Sequence, residues 1–318
     1  MHFDVFNGDA DGILALVQLR LAEPKESVLV TGVKRDIALL AKLDIEQVTS
    51  VTTLDISMEK NADGLASLLA AKKPVFYVDH HRTGDIPDSP YLQSIIDLDA
   101  NTCTSLLVNE HLNHAHYLWA IAAAFGDNMN KSAIALATQH QVSENDQTFL
   151  KALGIYVNYN GYGRTIDDLH IPPAALFKTL VGYANPLELR DDKDSVFYQL
   201  ESAYQQDMAN AAQAICHHDD NIAKVIELPD EAWARRVSGV LGNDLANQSP
   251  DKAHAVLTQN RDESYTVSFR APLANRQGAD NVCTQFETGG GRAAAAGINK
   301  LPREQLATFI DTLTAYYR

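Results

Sequence analysis

Along the first hundred residues, short β-prone runs alternate with longer stretches whose apolar positions recur at helical spacing. Phe3 to Phe6 reads as a strand, and Ile13 to Leu21 as a strongly apolar helix that ends near Pro24. The pattern repeats with a strand at Ser27 to Val33, a helix at Asp36 to Leu43, a strand at Val48 to Leu54 and a helix at Ala62 to Ala71. Val75 to Val78 is a continuous β-prone run, as expected of a parallel strand buried on both faces. Alternation at this spacing predicts a parallel sheet with right-handed crossovers. A loop from Thr83 to Pro90 and a short strand, Ile95 to Leu98, follow. A helix then starts within Asn101 to Ser105 and runs to about Leu112, and three more occupy Ala115 to Phe125, Lys131 to His140 and Asn145 to Leu153.

The pattern changes in the last third. An amphipathic helix from Asp194 to His217 reads as a connector. Beyond it, strands are predicted at Ile222 to Leu228, Trp233 to Val240, Ala253 to Asn260 and Ser264 to Arg270, an antiparallel-looking set flanked by helices such as Val282 to Phe286. The fold class is therefore α/β: a parallel-sheet N-terminal domain over 1–190, a helical linker over 191–220 and a smaller mixed α/β domain over 221–318.

A chain of 318 residues suits two domains, and 46% hydrophobic content argues against disorder. There is no charged leader with an apolar core and no run of about 18 apolar residues, which predicts a soluble protein without signal peptide or membrane span. Cys103, Cys216 and Cys283 are far apart and odd in number, which fits neither a zinc pattern nor a disulfide framework and suits a reducing cytoplasm. The net charge of −15 lies wholly in residues 1–220, which carry 15 Lys and Arg against 30 Asp and Glu; residues 221–318 carry 11 of each. Whole-domain charge thus lacks the basic footprint of a protein that grips long duplex DNA, and favours small or short substrates. No heptad or exposed apolar stripe indicates an oligomeric state.

The chemistry gathers at strand ends. Val78 runs into Asp79-His80-His81, and ligands of open α/β sheets bind beyond the carboxyl ends of strands. The first strand enters Asn7-Gly8-Asp9-Ala10-Asp11-Gly12, the third delivers Asp55, and Asp127 follows the apolar run Trp119 to Phe125. Carboxylates and imidazoles converging in this way suit hard or borderline divalent metals. Helix capping accounts for one of Asp9 and Asp11 but not for both, and the calcium loop of EF-hand type lacks its twelfth-position Glu and its preceding helix. His111, His114, His116 and His140 read as solvated helix residues. The stretch Ile155 to Arg164 reads as an aromatic, amide and glycine loop, suited either to stacking a base with Arg164 on a phosphate or to joining domains. His217-His218-Asp219-Asp220 reads as a solvated helix terminus. Gly289-Gly290-Gly291-Arg292 reads as a turn with exposed N–H groups beside a forked cation, a pairing suited to phosphate.

These residues resemble the DHH superfamily of phosphoesterases with its DHH-associated C-terminal domain. Asp79-His80-His81 resembles the signature, Asp9-Ala-Asp-Gly12 the first motif of RecJ-type exonucleases, and Asp55 and Asp127 the second- and fourth-motif aspartates. Phe269-Arg270 resembles the family's Ser-x-Arg strand, and Gly289 to Gly291 with Ala295-Ala296-Gly297 its glycine-rich signature. The resemblance implies two Mn²⁺ ions (or Mg²⁺) in a cleft between the domains. Asp9 and Asp55 would hold the first ion, and Asp11, Asp55, His80 and Asp127 the second, with Asp55 bridging. Asp79 would orient a ligand histidine, His81 would face the substrate, and Arg270, the glycines and Arg292 would hold a phosphate. Asn7 stands where many relatives have His or Asp, and Arg292 where the glycine-rich signature has His.

The resulting expectation is a metal-dependent phosphodiesterase or exonuclease acting on short single-stranded oligonucleotides or dinucleotides through a metal-activated water. The alternatives are a RecJ-like exonuclease on long single-stranded DNA, a nucleotide 3′-phosphatase acting on pAp, and a non-catalytic nucleotide sensor. A DHH-type pyrophosphatase fits less well, because its C-terminal signature differs.

Overall fold

The computed structural model describes residues 1–318, which form two compact units, Met1–Ser202 and Ala203–Arg318. In the first unit, β1 (His2–Phe6), α1 (Ala10–Ala22), β2 (Val28–Val30), β3 (Ser50–Leu54), α2 (Ala62–Ala70), β4 (Val75–Asp79) and β5 (Leu92–Ile96) build a parallel sheet in the order β2-β1-β3-β4-β5. The strand order reverses between β1 and β3, and a crevice opens at such a switch point. The strands are apolar because both faces are covered. Phe3, Val5, Val51, Val75 and Tyr77 pack toward α2, whereas Phe6, Leu54 and Val78 pack toward the main helical layer. That layer holds α3 (Thr104–His111), α4 (Tyr117–Gly126), α5 (Asn130–Gln139), α6 (Glu144–Asn160), α7 (Pro173–Leu180) and α8 (Glu188–Asp191). At its centre α1 is buried on every side from Ala10 to Arg20, as its all-round apolar sequence requires.

From the first unit α9 (Val196–Ala211) leads into the second, where β6 (Ile215–Asp219), β7 (Ala223–Leu228), α10 (Ala232–Gln248), β8 (Ala253–Gln259), β9 (Tyr265–Arg270), α11 (Ala279–Cys283), β10 (Gly289–Gly291), β11 (Ala295–Leu301) and α12 (Leu306–Tyr317) follow. The sheet order is β10-β11-β9-β8-β7-β6. Its core sets Val225, Ala255, Val267 and Ile298 against Val282 of α11 and Phe309 of α12.

Several elements differ from their sequence reading. Trp233 to Val240 is not a strand but the first half of the seventeen-residue α10, where Ala234, Val237 and Val240 are buried at helical spacing. Consequently β7 and β8 run parallel, joined by that helix, within a sheet that is otherwise antiparallel. His217 and His218 lie in the edge strand β6, not at a helix end; His217 Nε2 meets Glu227 Oε2 at 2.5 Å and His218 Nε2 meets Asp220 Oδ2 at 3.2 Å. Of the helix expected over Asp36 to Leu43, only a 3₁₀ turn at Leu40–Lys42 forms. The fifth strand sits at Leu92–Ile96, ahead of the expected Ile95 to Leu98. The glycine triplet is strand rather than turn, paired with β11 through Gly289–Ile298, Gly290–Gly297 and Gly291–Ala296.

Candidate metal centre

Each donor is aimed by a local backbone feature. Asp9 is the N-cap of α1, its Oδ1 accepting the Gly12 N–H at 3.1 Å. Two residues on, in the first turn of α1, Asp11 is fixed from across the unit, where the first N–H groups of α3 donate to it: Thr104 N to Oδ2 at 2.8 Å and Ser105 N to Oδ1 at 2.7 Å. Asp55 leaves β3 with φ +58°, a left-handed turn that aspartate tolerates better than most residues, and its N–H is held by the Val78 carbonyl at 3.1 Å. Asp127 caps the carboxyl end of α4, where Asn128 at φ +58° closes the helix.

The two histidines beyond β4 part company. His80 Nδ1 donates to the Thr102 carbonyl at 2.9 Å, which leaves the Nε2 lone pair facing Asp55 (3.4 Å), Asp11 (3.7 Å) and Asp127 (3.9 Å). His81 Nδ1 instead meets Asp79 Oδ1 at 2.7 Å. Asp79 therefore orients His81, and the carbonyl of Thr102, a residue not singled out in the sequence, orients His80. Donor atoms of Asp11, His80 and Asp127 lie within 4.8 Å of one another, as do those of Asp55, His80 and His81.

So many acids packed together resist ionisation. Burial, then the charges of Asp127 and Asp9, push the Asp11 carboxyl up to about 6 against the N–H bond from Ser105. Burial and the neighbouring Asp11, Asp9, Asp127 and Asp79 push Asp55 well above the usual range. Asp127 moreover sits at the end of α4 where the helix dipole is negative. A buried anionic cluster with an imidazole lone pair aimed into it fits a divalent cation bound by oxygen and nitrogen.

One cation of the protein's own already stands there. Lys34 Nζ bonds Asp9 Oδ2 and Asn158 Oδ1 (3.0 Å), reaches Asp127 Oδ1 at 3.4 Å, and lies 5.3 Å from the centre of the Tyr162 ring. Burial pulls its pKa down, but Asp9, Tyr162 and Asp127 more than reverse this and keep it charged. Its backbone is placed by Lys34 N–H donating to the Gly161 carbonyl at 2.8 Å and by Asn7 Nδ2 donating to the Lys34 carbonyl at 3.3 Å. A side chain at Gly8 would start 1.8 Å from the Gly32 carbonyl oxygen, so glycine there lets the loop after β2 close on the loop after β1.

Comparison of the sequence with protein-family models and with curated proteins gives no match. Solved structures do match in fold. A DHH domain described as a member of a family of ribosomal proteins aligns with TM-score 0.64 at 14% identity, covering 99% of this chain and 86% of its own. The fold is that of the DHH-domain proteins. RecJ from Thermus thermophilus, in complex with Mn²⁺, aligns at 0.60 with 17% identity over 99% of this chain, which spans 52% of RecJ. The pGpG-specific phosphodiesterase PggH from Vibrio cholerae aligns at 0.54 with 12% identity, covering 99% of this chain and 98% of its own.

Within this DHH fold the remaining expected site residues stand as follows. Arg270 is committed locally: Nε to Asn243 Oδ1 (2.6 Å), one terminal nitrogen to Ser268 Oγ (3.2 Å) and the Phe269 carbonyl (3.1 Å), the other to the Gly239 carbonyl (3.1 Å). Arg292 opens the hairpin between β10 and β11, exchanging backbone bonds with Ala295. By the alternation of an antiparallel ladder, the Gly291 N–H then points to the open edge of the sheet. Arg164 is exposed, with its backbone N–H on Asp168 Oδ2 at 2.7 Å. The loop expected at 155–164 is helical through Asn160, and its rings face inward: Tyr159 and Tyr162 are buried, and Tyr156 packs on Phe197. Asn160 spends its amide on the backbone of His170 and Ile171. His111, His114, His116 and His140 stand outside the donor groups, His140 stacking on Tyr117 at 4.0 Å. Cys103 and Cys283 are buried and Cys216 is exposed, all as free thiols. No helix is long and apolar enough to cross a membrane.

Proposed function

We propose that this chain is a divalent-metal-dependent phosphodiesterase that cuts short single-stranded oligonucleotides or dinucleotides. The observation that carries the reading is the meeting of Asp11, Asp55 and Asp127 around the buried His80 Nε2, with the partly exposed His81 beside Asp55. These four side chains would hold Mn²⁺ or Mg²⁺. When bound, such an ion lowers the pKa of a coordinated water and polarises a phosphoryl oxygen. His81 is braced through Nδ1 by buried Asp79, so Nε2 is the atom left to pass a proton to the leaving oxygen. Gly289, Gly290, Gly291, Arg292 and Arg164 are the residues proposed to bind phosphate, whereas the bonds of Arg270 tie α10 to β9. On this reading residues 1–190 form the catalytic domain and 221–318 the substrate-binding domain.

The acidic first 220 residues oppose a long polyanion and favour a short substrate. The test is a turnover panel with Mn²⁺: short RNA, short DNA, a long single strand, pAp and a linear dinucleotide. Decay of the short substrates supports the reading. Digestion of the long strand alone transfers it to a RecJ-like exonuclease, phosphate release from pAp alone to a nucleotide phosphatase, and binding without turnover to a sensor.

A further inference from the structure

Asp9 is the residue that least fits the role of metal donor. Its Oδ1 is taken by the Gly12 N–H and its Oδ2 by the Lys34 ammonium. It belongs to neither group of converging donor atoms, although Asp11, two residues on, belongs to one. Asn7, on the same loop, turns its amide nitrogen to the Lys34 carbonyl, and its Oδ1 is a neutral donor. Asp127 lies between the two environments, with Oδ1 toward Lys34 Nζ at 3.4 Å and Oδ2 toward His80 Nε2 at 3.9 Å.

We propose that this centre takes one divalent ion, and that the Lys34 ammonium permanently fills the place of a second. The proposal rests on the reading of the site as a divalent-metal centre, and it departs from the expectation of two ions. The single ion belongs at His80 Nε2, the atom common to both donor groups, which Asp11, Asp55 and Asp127 all face. Beside it the ammonium neutralises Asp9 and shares Asp127, so that Asp127 bridges an ion and an ammonium. A second divalent ion at Asp9 would have to displace the lysine from a carboxylate and an amide oxygen, or stand against a like charge. The ammonium differs from an ion in one chemical respect: it coordinates no water, so it contributes charge and position but no nucleophile. Its three N–H donors are directed to Asp9, Asn158 and Asp127, which marks a cation built into the fold rather than a mobile side chain.

The experiment is a Mn²⁺ titration of the metal-depleted full chain, reading free Mn²⁺ by electron paramagnetic resonance, on the wild type and on Lys34→Met. The wild type is expected to bind one ion per chain, with the hyperfine pattern of an isolated ion. Lys34→Met is expected to gain a second ion at least tenfold tighter than any second binding by the wild type, with a spin-coupled spectrum. Two ions of comparable affinity in the wild type overturn the proposal and leave the phosphoesterase reading standing. One ion in both proteins also overturns it, because Lys34 is then not what excludes the second. No ion in the wild type overturns both readings. One bound ion with no turnover of any phosphodiester supports the proposal and sinks the phosphoesterase reading alone. The wild-type titration stands by itself should the variant fail to fold.

Discussion

At the scale of single residues, the sharpest test falls on Asp55, whose left-handed backbone and Val78 hydrogen bond aim its carboxylate at His80. Asp55→Asn keeps the shape and removes the charge. Its turnover should fall by more than about a hundredfold, at or beyond the loss typical of weaker, outer partners of a metal. Retention of more than a few per cent of wild-type activity in a metal-saturated assay would remove Asp55 from the donor set. Asp9, Asp11, Asp55, His80, His81 and Asp127 were all legible in the sequence, because each follows a conspicuous apolar run. What was not legible was how they divide the work. Asp79 stands next to His80 in sequence, yet the strand's alternation sends its carboxylate to His81, and a carbonyl 22 residues on serves His80 instead. Lys34 obeys the rule that found the aspartates, since it lies just beyond the carboxyl end of β2. In sequence a lysine in an ordinary loop reads as solvated, and only the folded chain shows it four-fifths buried beside Asp9 and Asp127, its side chain 22% exposed.

At the scale of elements, the β10–β11 hairpin separates glycines needed by packing from one that is not. A Cβ on Gly289 would lie 1.7 Å from the Cys283 carbonyl oxygen, whereas one on Gly290 meets nothing within 4 Å. Gly289→Ala should therefore cost about 2 kcal/mol or more, and Gly290→Ala should stay within about 0.5 kcal/mol, both read by thermal or denaturant melts. If the hairpin contacts substrate phosphate, Gly290→Ala raises KM without lowering the melting temperature; an unchanged KM removes the hairpin from the substrate contacts. Elements written as continuous apolar runs are legible: α1, β3, β4 and α4 lie within a few residues of their sequence positions. The misread ones share a cause. Trp233 to Val240 is too short for length to separate helix from strand, although the buried Ala234, Val237 and Val240 within it already stand three apart, a helical spacing. β6 has almost no buried face, so it offered no alternation to read. The tyrosines of 156–162 resembled a binding loop in composition, yet they are the packed end of α6 and its cap.

At the scale of the whole molecule, acid stability should show the mark of a second buried charge cluster, distinct from the candidate centre. Asp4, fully buried in β1, takes Arg20 Nε at 2.8 Å and a second guanidinium nitrogen, with His2 at 3.1 Å and Ser27 at 2.6 Å. Burial alone would raise its pKa, but Arg20, His2 and Ser27 reverse this and bring it from 3.8 down to about 2. Because the folded value lies below the unfolded one, the stabilisation is fully present above about pH 4. It is lost as pH falls from there through about 2, and amounts to on the order of 2 kcal/mol. Asp4→Asn should flatten that part of the stability curve; an unchanged acid limb would show that the cluster contributes nothing there. The anchorage of the candidate centre is uneven across the sheet. Asp9, Asp11, Asp55 and His80 hang from β1, β3 and β4 in the middle of the sheet, but Lys34 hangs from β2, three residues long and at its edge. Edge segments open locally at a fraction of the cost of global unfolding. Lys34 does not depend on that strand alone, because its own backbone is bonded to the Gly161 carbonyl and to the Asn7 amide, so opening of the strand end leaves the ammonium tethered beside Asp9.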